Sequence, residues 1–242
     1  MILNSKKYYE GDIEGNKILN SMSKASKLNF YFFEQLKPYL GNKNLEIGSG
    51  IGNISCFFFE QEIPIDLSEI NPDYHKELEK KFKVSKIINV DLNNINYEVD
   101  YKALKNKYDL VYAFNVVEHI EDDRLALKII TYITKPSGYI FILVPSYQVL
   151  YNNFDKILDH FRRYNTRSLD KIFPSNTKTI KSYYLNFIGI FAWFLFGSVL
   201  NKKTINEGNM KLYNFLMPII KFFDLIVFHK IGLSSIVIKQ KK

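Results

Sequence analysis

The run Asn44-Leu-Glu-Ile-Gly-Ser-Gly-Ile-Gly-Asn-Ile-Ser55 constrains this chain more than any other stretch. An apolar segment, Lys43–Ile47, reads as a buried strand. It breaks at a turn with glycine at 48, 50 and 52, and a helix is expected from Asn53 to Glu60. Glycine is placed where the backbone must take positive φ or let a ligand lie against it. The helix after the turn aims its positive N-terminal end at whatever sits there. Such a unit binds a nucleotide-like ligand.

The same rhythm continues downstream. Ile63–Ser68 is apolar enough for a strand buried on both faces, and Asn71-Pro-Asp73 opens a helix that runs to about Phe82. Ser85–Val90, Tyr108–Phe114 and Tyr139–Val144 read as further strands. Between the last two, Glu121-Asp-Asp123 caps a helix whose buried stripe is Leu125, Ile129 and Ile133. Before the first strand, Ser21–Leu40 carries helical spacing ended by Pro38 and Gly41, and Tyr8–Asn20 reads as a polar, flexible lead-in. Alternation of this kind predicts an α/β fold: a doubly wound, mostly parallel sheet of seven strands with helices on both faces. After Pro145 the rhythm changes. Gln148–Phe161 is expected to be a helix, and Thr166–Asp170 a capping turn into another. Lys178–Tyr184 and Ser234–Lys239 are the sixth and seventh strands, joined by a long helical insertion. We expect one domain over 1–242, with a cofactor-binding core at 20–150, a substrate-side elaboration at 151–233 and a last strand at 234–240.

Which ligand the turn takes depends on its neighbours. A dinucleotide loop wants G-x-G-x-x-G, whereas the glycines here have the closer G-x-G-x-G spacing and follow Glu46. That carboxylate repels a pyrophosphate and suits a cationic amino-acid group. Glu69, just past the second strand, is placed to accept ribose hydroxyls, and Asp91, past the third, to accept from an adenine amino group. An amino acid, a ribose and an adenine without phosphates describe S-adenosylmethionine.

These stretches, LEIGSGIGN, SEINP, NVDLNN, YDLVYAFNVVEHIEDD and GYIFILVPS, together resemble the motifs of class I S-adenosylmethionine-dependent methyltransferases over residues 20–150. The resemblance implies a Rossmann-like methyltransferase fold with S-adenosyl-L-methionine as cofactor. It implies that Glu46 and the backbone of Gly48, Ser49, Gly50 and Gly52 hold the methionine part. Glu69 with Ile70 would take the ribose, Asp91 with Leu92 the adenine, and Asn115 with Val116 the far side. Structural alternatives stand for Glu46 as a solvated strand end and for Asp91 as a helix cap or turn residue, and Glu118-His119 reads as a helix start. No Asn/Asp-Pro-Pro-Tyr sequence follows the fourth strand, which argues against amine methylation of nucleic-acid bases.

The stretch Val144–Tyr164 follows the fifth strand and so lies at the cofactor edge. Its tail, Asp-x-x-Leu-x-His-Phe-Arg-Arg-Tyr, is similar to one in a subset of these enzymes linked with polysaccharide and lipid-linked sugar pathways. His160 is the candidate general base, and Arg162, Arg163 and Tyr164 are candidate substrate-binding residues. The alternative is a helix end whose arginines pair with Asp155 and Asp159. No metal ligand set is expected, and the single cysteine, Cys56, excludes a disulfide framework.

Of the formal net charge of +8, residues 151–242 carry 15 Lys/Arg against 5 Asp/Glu. An anionic partner is therefore expected on that side. Tyr183–Leu200 has no charged residue, and three readings stand for it: a core helix, an interfacial helix and a membrane span. The N-terminus lacks the apolar run of a signal peptide. The expectation is a cytoplasmic methyltransferase, peripheral at a membrane if its basic, apolar part meets lipid, acting on a hydroxyl of a small molecule, sugar or lipid-linked saccharide. RNA methylation and a non-catalytic role in cell-surface polysaccharide assembly are the alternatives. Nucleic acid is disfavoured because the basic half is too apolar to read as a solvated patch.

Overall fold

The computed structural model of the chain describes residues 20–83, 87–200, 202 and 207–242. The expected lead-in before residue 20 lies outside them. Among the described residues six strands form one sheet: β1 (Asn44–Ile47), β2 (Ile65–Ser68), β3 (Tyr108–Phe114), β4 (Thr134–Pro145), β5 (Thr177–Leu185) and β6 (Ser234–Lys241). Their order is β2-β1-β3-β4-β6-β5. The first four are mutually parallel, and β6 runs antiparallel to both β4 and β5. The sheet thus has the Rossmann-like α/β form, mostly parallel, with six strands among the described residues where seven were expected. Residues 85 and 86 of the expected third strand lie outside the described residues, and Ile88, past them, makes a single parallel bridge to Ser68.

Residues alternate across the sheet as pleating demands. Leu45, Ile47, Val111, Ala113, Ile140, Ile142 and Val237 face α5 (Asp123–Ile133), which buries Ala126, Leu127, Ile129, Ile130 and Ile133 against them. Leu110, Tyr112, Phe141, Leu143, Ile236 and Ile238 face the other way. They meet α1 (Ser26–Leu36), α2 (Ser55–Glu60) and α9 (Glu207–Ile226) through Phe32, Phe33, Leu36, Phe58, Met217 and Ile220. α3 (Pro72–Phe82) starts on an Asn71 cap that accepts from the Asp73 amide at 2.9 Å, with Pro72 in the first turn. A short α4 (Tyr97–Asp100) precedes β3.

Gly52 shows how tightly the opening unit packs. Its φ is +77°, and a Cβ there would lie 2.4 Å from Cε2 of Phe82 on α3. Gly52→Ala meets both strain and overpacking. We expect a loss of about 1–3 kcal/mol in denaturant unfolding; an unchanged midpoint would refute this packing.

The expected helix Gln148–Phe161 does not form as one piece. A turn at Gln148–Leu150 is followed by the short α6 (Asn153–Ile157). Asn152 accepts from the Phe154 amide at 2.9 Å while Asp155 accepts from the Asn152 amide at 2.9 Å, a capping box that starts a new helix mid-segment. Asp159 at φ +55° prevents its continuation. α7 (Thr166–Lys171) is capped by Asn165. Tyr183–Leu185 belong to β5. Asn186 then caps α8 (Phe187–Trp193), which continues as a wider π-type turn over Phe194–Val199. No helix among the described residues is long and apolar enough to cross a membrane.

Candidate active site

The carboxyl ends of β1 to β4 share one edge, the edge where open α/β sheets bind ligands. The glycine turn leaves β1 there. Gly48, Gly50 and Gly52 all have positive φ, and a Cβ on Gly48 would lie 2.6 Å from Cγ2 of Val116. The turn and the segment after β3 are therefore in contact. Glu69 ties the turn to the end of β2. Its Oε2 accepts from the Gly50 amide, and its Oε1 accepts from those of Ile70 and Asn71, each at 2.8 Å. Three donors leave about one of the carboxylate's four acceptor positions open to a ligand.

Glu46 lies beneath the turn, 3% exposed, and accepts a hydrogen bond from the Ser55 hydroxyl. Burial pushes its carboxyl up to about 8, against that bond. The hydroxyls of Ser49 and Tyr112 are buried beside it and turned toward its carboxyl, which they lower less than burial raises it. Asp91 holds the Asn93 amide on Oδ1 at 2.8 Å, and its own amide donates to the Tyr101 hydroxyl at 2.7 Å. Ile70 presents a partly exposed apolar side chain, whereas Leu92 is 2% exposed and packed in the core, so only its backbone can meet a ligand. Asn115 is exposed at φ +53°. All eleven residues expected around a cofactor thus come together at one edge. A turn with glycine at every second position offers its backbone to a ligand that brings its own polar groups.

A second cluster forms where the loop after β4 returns to pair Ser146 with Tyr164. His160 is 7% exposed, and its Nδ1 lies 2.8 Å from Asp155 Oδ1. The same oxygen accepts from Arg163 Nε at 2.7 Å. Burial pushes the Asp155 carboxyl up, but the bonds from His160 and Arg163 outweigh it and hold it below the usual carboxylate range. An ionised carboxylate only accepts, so Nδ1 of His160 donates to Asp155, which in the neutral ring leaves the lone pair on Nε2. Nε2 faces Oε1 of Glu118 at 4.0 Å. Glu118 is fully buried, neither of its oxygens has a partner among the described residues, and burial raises it to about 8. His119 stands edge-on to His160, ring centres 4.6 Å apart; burial, and then the repulsion two protonated rings would suffer, lower it to about 3. Glu118, His119 and His160 bring one ligand atom each within 4.8 Å of one another, a donor set able to hold a divalent cation.

The arginines are engaged by the protein itself. Arg163 is 5% exposed and also donates to the Ser146 carbonyl at 3.1 Å, since a buried guanidinium must be paired. Arg162 donates to the carbonyls of Ile120 and Glu121 and pairs with Asp123 at 3.1 Å. Tyr164, expected to face a substrate, is in the core with its hydroxyl on Asp123 at 2.9 Å. Sequence reasoning underrated Asp155 and Glu118. The Asn152-x-x-Asp155 capping pattern was the available signal for the first.

A parallel sheet with a glycine turn after β1 and acids after β2 and the following segment defines an S-adenosylmethionine-binding protein of Rossmann-like form. The methyltransferase domain family matches residues 23–177, and the chain belongs to that family. It is an S-adenosylmethionine-dependent methyltransferase. Among solved structures it is similar to an S-adenosylmethionine-dependent methyltransferase from Archaeoglobus fulgidus, at 20% identity and TM-score 0.54 over 88% of this chain and 94% of that one. It is also similar to phosphoethanolamine N-methyltransferase 2 of Haemonchus contortus in complex with S-adenosyl-L-methionine, at 14% identity and TM-score 0.54 over 89% and 52%. The [4+2]-cyclase SpnF shares the fold at 13% identity and TM-score 0.57 over 89% and 80%. No curated protein matches the sequence.

Proposed function

We propose that the enzyme O-methylates a hydroxyl on a small molecule, a sugar or a lipid-linked saccharide, with His160 as the proton acceptor. The observation that carries this reading is the Asp155 carboxylate 2.8 Å from Nδ1 of His160, which fixes the ring and, in its neutral form, leaves Nε2 as the proton acceptor. Bound S-adenosylmethionine supplies a methyl group already activated for transfer, so the protein's task is alignment and proton removal. Glu46, Ser49 and the glycine turn would hold its amino-acid part, Glu69 with Ile70 its ribose, Asp91 and the Leu92 backbone its adenine, and Asn115 with Val116 its far side. The acceptor oxygen would gain the methyl group as that carbon's bond to the sulfonium sulfur breaks, leaving the neutral thioether, and His160 Nε2 would take the hydroxyl proton. Asp155 stabilises the imidazolium that results. Arg162, its side chain 29% exposed against 1% for Arg163, is the arginine left to meet an anionic acceptor.

With S-adenosylmethionine and the natural acceptor, His160→Ala is expected to cut turnover by about 10²–10⁴-fold. Calorimetry should find its affinity for the cofactor unaltered. Full turnover in the variant would remove His160 from this role. A second reading is favoured by the unpartnered oxygens of Glu118: a divalent cation bound by Glu118, His119 and His160 would take the same Nε2 lone pair. Activity that is lost on chelation and restored by Zn²⁺ or Mn²⁺ would select that reading over the base.

A further inference from the structure

Thirteen of the nineteen exposed large apolar side chains among the described residues lie between Phe191 and Ile231. On α9, Leu212, Phe215, Ile219, Phe222 and Ile226 are spaced by three, four, three and four residues, and each is 48–76% exposed. That spacing is one helical stripe. The opposite stripe, Met210, Met217, Ile220 and Asp224, is buried. α9 is thus apolar on two faces, and the core covers one of them. Phe191, Phe194, Leu195, Val199 and Leu200 add to the exposed surface from α8 and the turn after it.

We propose that this face docks the enzyme on a bilayer containing anionic lipid, with α9 lying in the plane of the surface. Its 20 residues span about 30 Å. Charge selects the occupant. Residues 187–231 contain five lysines and two acids. One of those acids, Asp224, is turned inward to accept from the Tyr31 hydroxyl and from the amides of Asn186 and Phe187. Lys202, Lys211 and Lys230 are exposed on the same segment as the apolar residues. An apolar stripe with lysines beside it matches the boundary between acyl chains and acidic headgroups. A second copy of the chain would bring like charges together. A spanning helix is excluded for the described helices by their length and polarity.

The face is also one packing layer from the acceptor-side cluster. The Trp193 ring of α8 lies 4.5 Å from the Arg163 guanidinium, which bonds to Asp155, which holds His160. The Asn152 side chain donates to Ser198 at 3.3 Å. A surface-bound enzyme would therefore present this cluster near a lipid-linked acceptor. The docking inference rests on the surface alone and stands independently of the acceptor's chemistry.

The test is co-sedimentation of the full chain with vesicles of phosphatidylcholine alone and of phosphatidylcholine with about one-third phosphatidylglycerol, alongside sedimentation equilibrium of the protein without lipid. We expect a monomer that binds the anionic vesicles at least about tenfold better and is partly released by salt. Phe215→Ser with Phe222→Ser should lower the partition coefficient by about a hundredfold, about tenfold for each buried ring lost. Lys211→Ala and Lys230→Ala should cost about fivefold each. Both sets of variants should keep the wild-type affinity for S-adenosylmethionine, which separates a failure of docking from a failure of folding or of the methyl-transfer reading. No binding to either vesicle would overturn the proposal, as would a dimer that Phe222→Ser dissociates. Equal binding to neutral and anionic vesicles would overturn the part assigned to the lysines.

Discussion

Glu69→Ala is expected to weaken S-adenosylmethionine binding by about ten- to a hundredfold. The carboxylate accepts from three backbone amides and so holds the glycine turn against the end of β2. In our assignment it also offers its remaining position to the ribose. Hydrogen bonds to a charged group contribute about 1.5–3 kcal/mol each, and one such bond lost to the ligand gives the stated range. Glu69→Gln should fall between the two, because its amide oxygen still accepts while its NH₂ faces amide donors. Calorimetric titration of the three proteins decides the matter. Equal affinities would mean that the turn holds its shape without Glu69 and that the ribose lies elsewhere.

The largest stability effect should come from Asp155→Ala. The Asp155 and Arg163 side chains are 0% and 1% exposed, and Asp155 Oδ1 also holds His160. Removing the carboxylate leaves a guanidinium buried without its counter-charge, a change that costs about 3–5 kcal/mol. Urea unfolding of Asp155→Ala, Arg163→Met and the double variant measures the coupling. We expect the double variant to be more stable than Asp155→Ala alone, because it no longer buries an unpaired cation. A double variant as unstable as the sum of the two single ones would show that the pair is not coupled. A small loss in Asp155→Ala would show that water reaches Arg163.

How far the sequence carries depends on what enforced each element. Tyr108–Phe114 is legible to the residue because a run of that length, apolar almost throughout, can only be a strand buried on both faces. The glycine turn is legible because positive φ at three alternate positions demands glycine. The segment 148–161 is not, because the Asn152–Asp155 capping box overrides an apolar periodicity that continues through it. Nor can sequence decide what Arg163 meets, since a ligand anion and Asp155 ask the same of a guanidinium. The α9 stripe reads as apolar on both sides, and only the packing shows which side the core covers.

The order of the strands bears on how the chain is made. Among the described residues β5 has no neighbour in the sheet except β6, yet β6 is translated about fifty residues later. Until residues 234–241 leave the ribosome, β5 is an open edge, and α8 and α9 hang on a sheet that is two strands short of closing. Nascent chains expose aggregation-prone surface in such intervals. Here that surface is the apolar stripe of α9 together with the unpaired β5, so we expect the insertion of β6 between β4 and β5 to be a late, long-range step. A step of that kind is slow because the loop must close before the pairing rewards it.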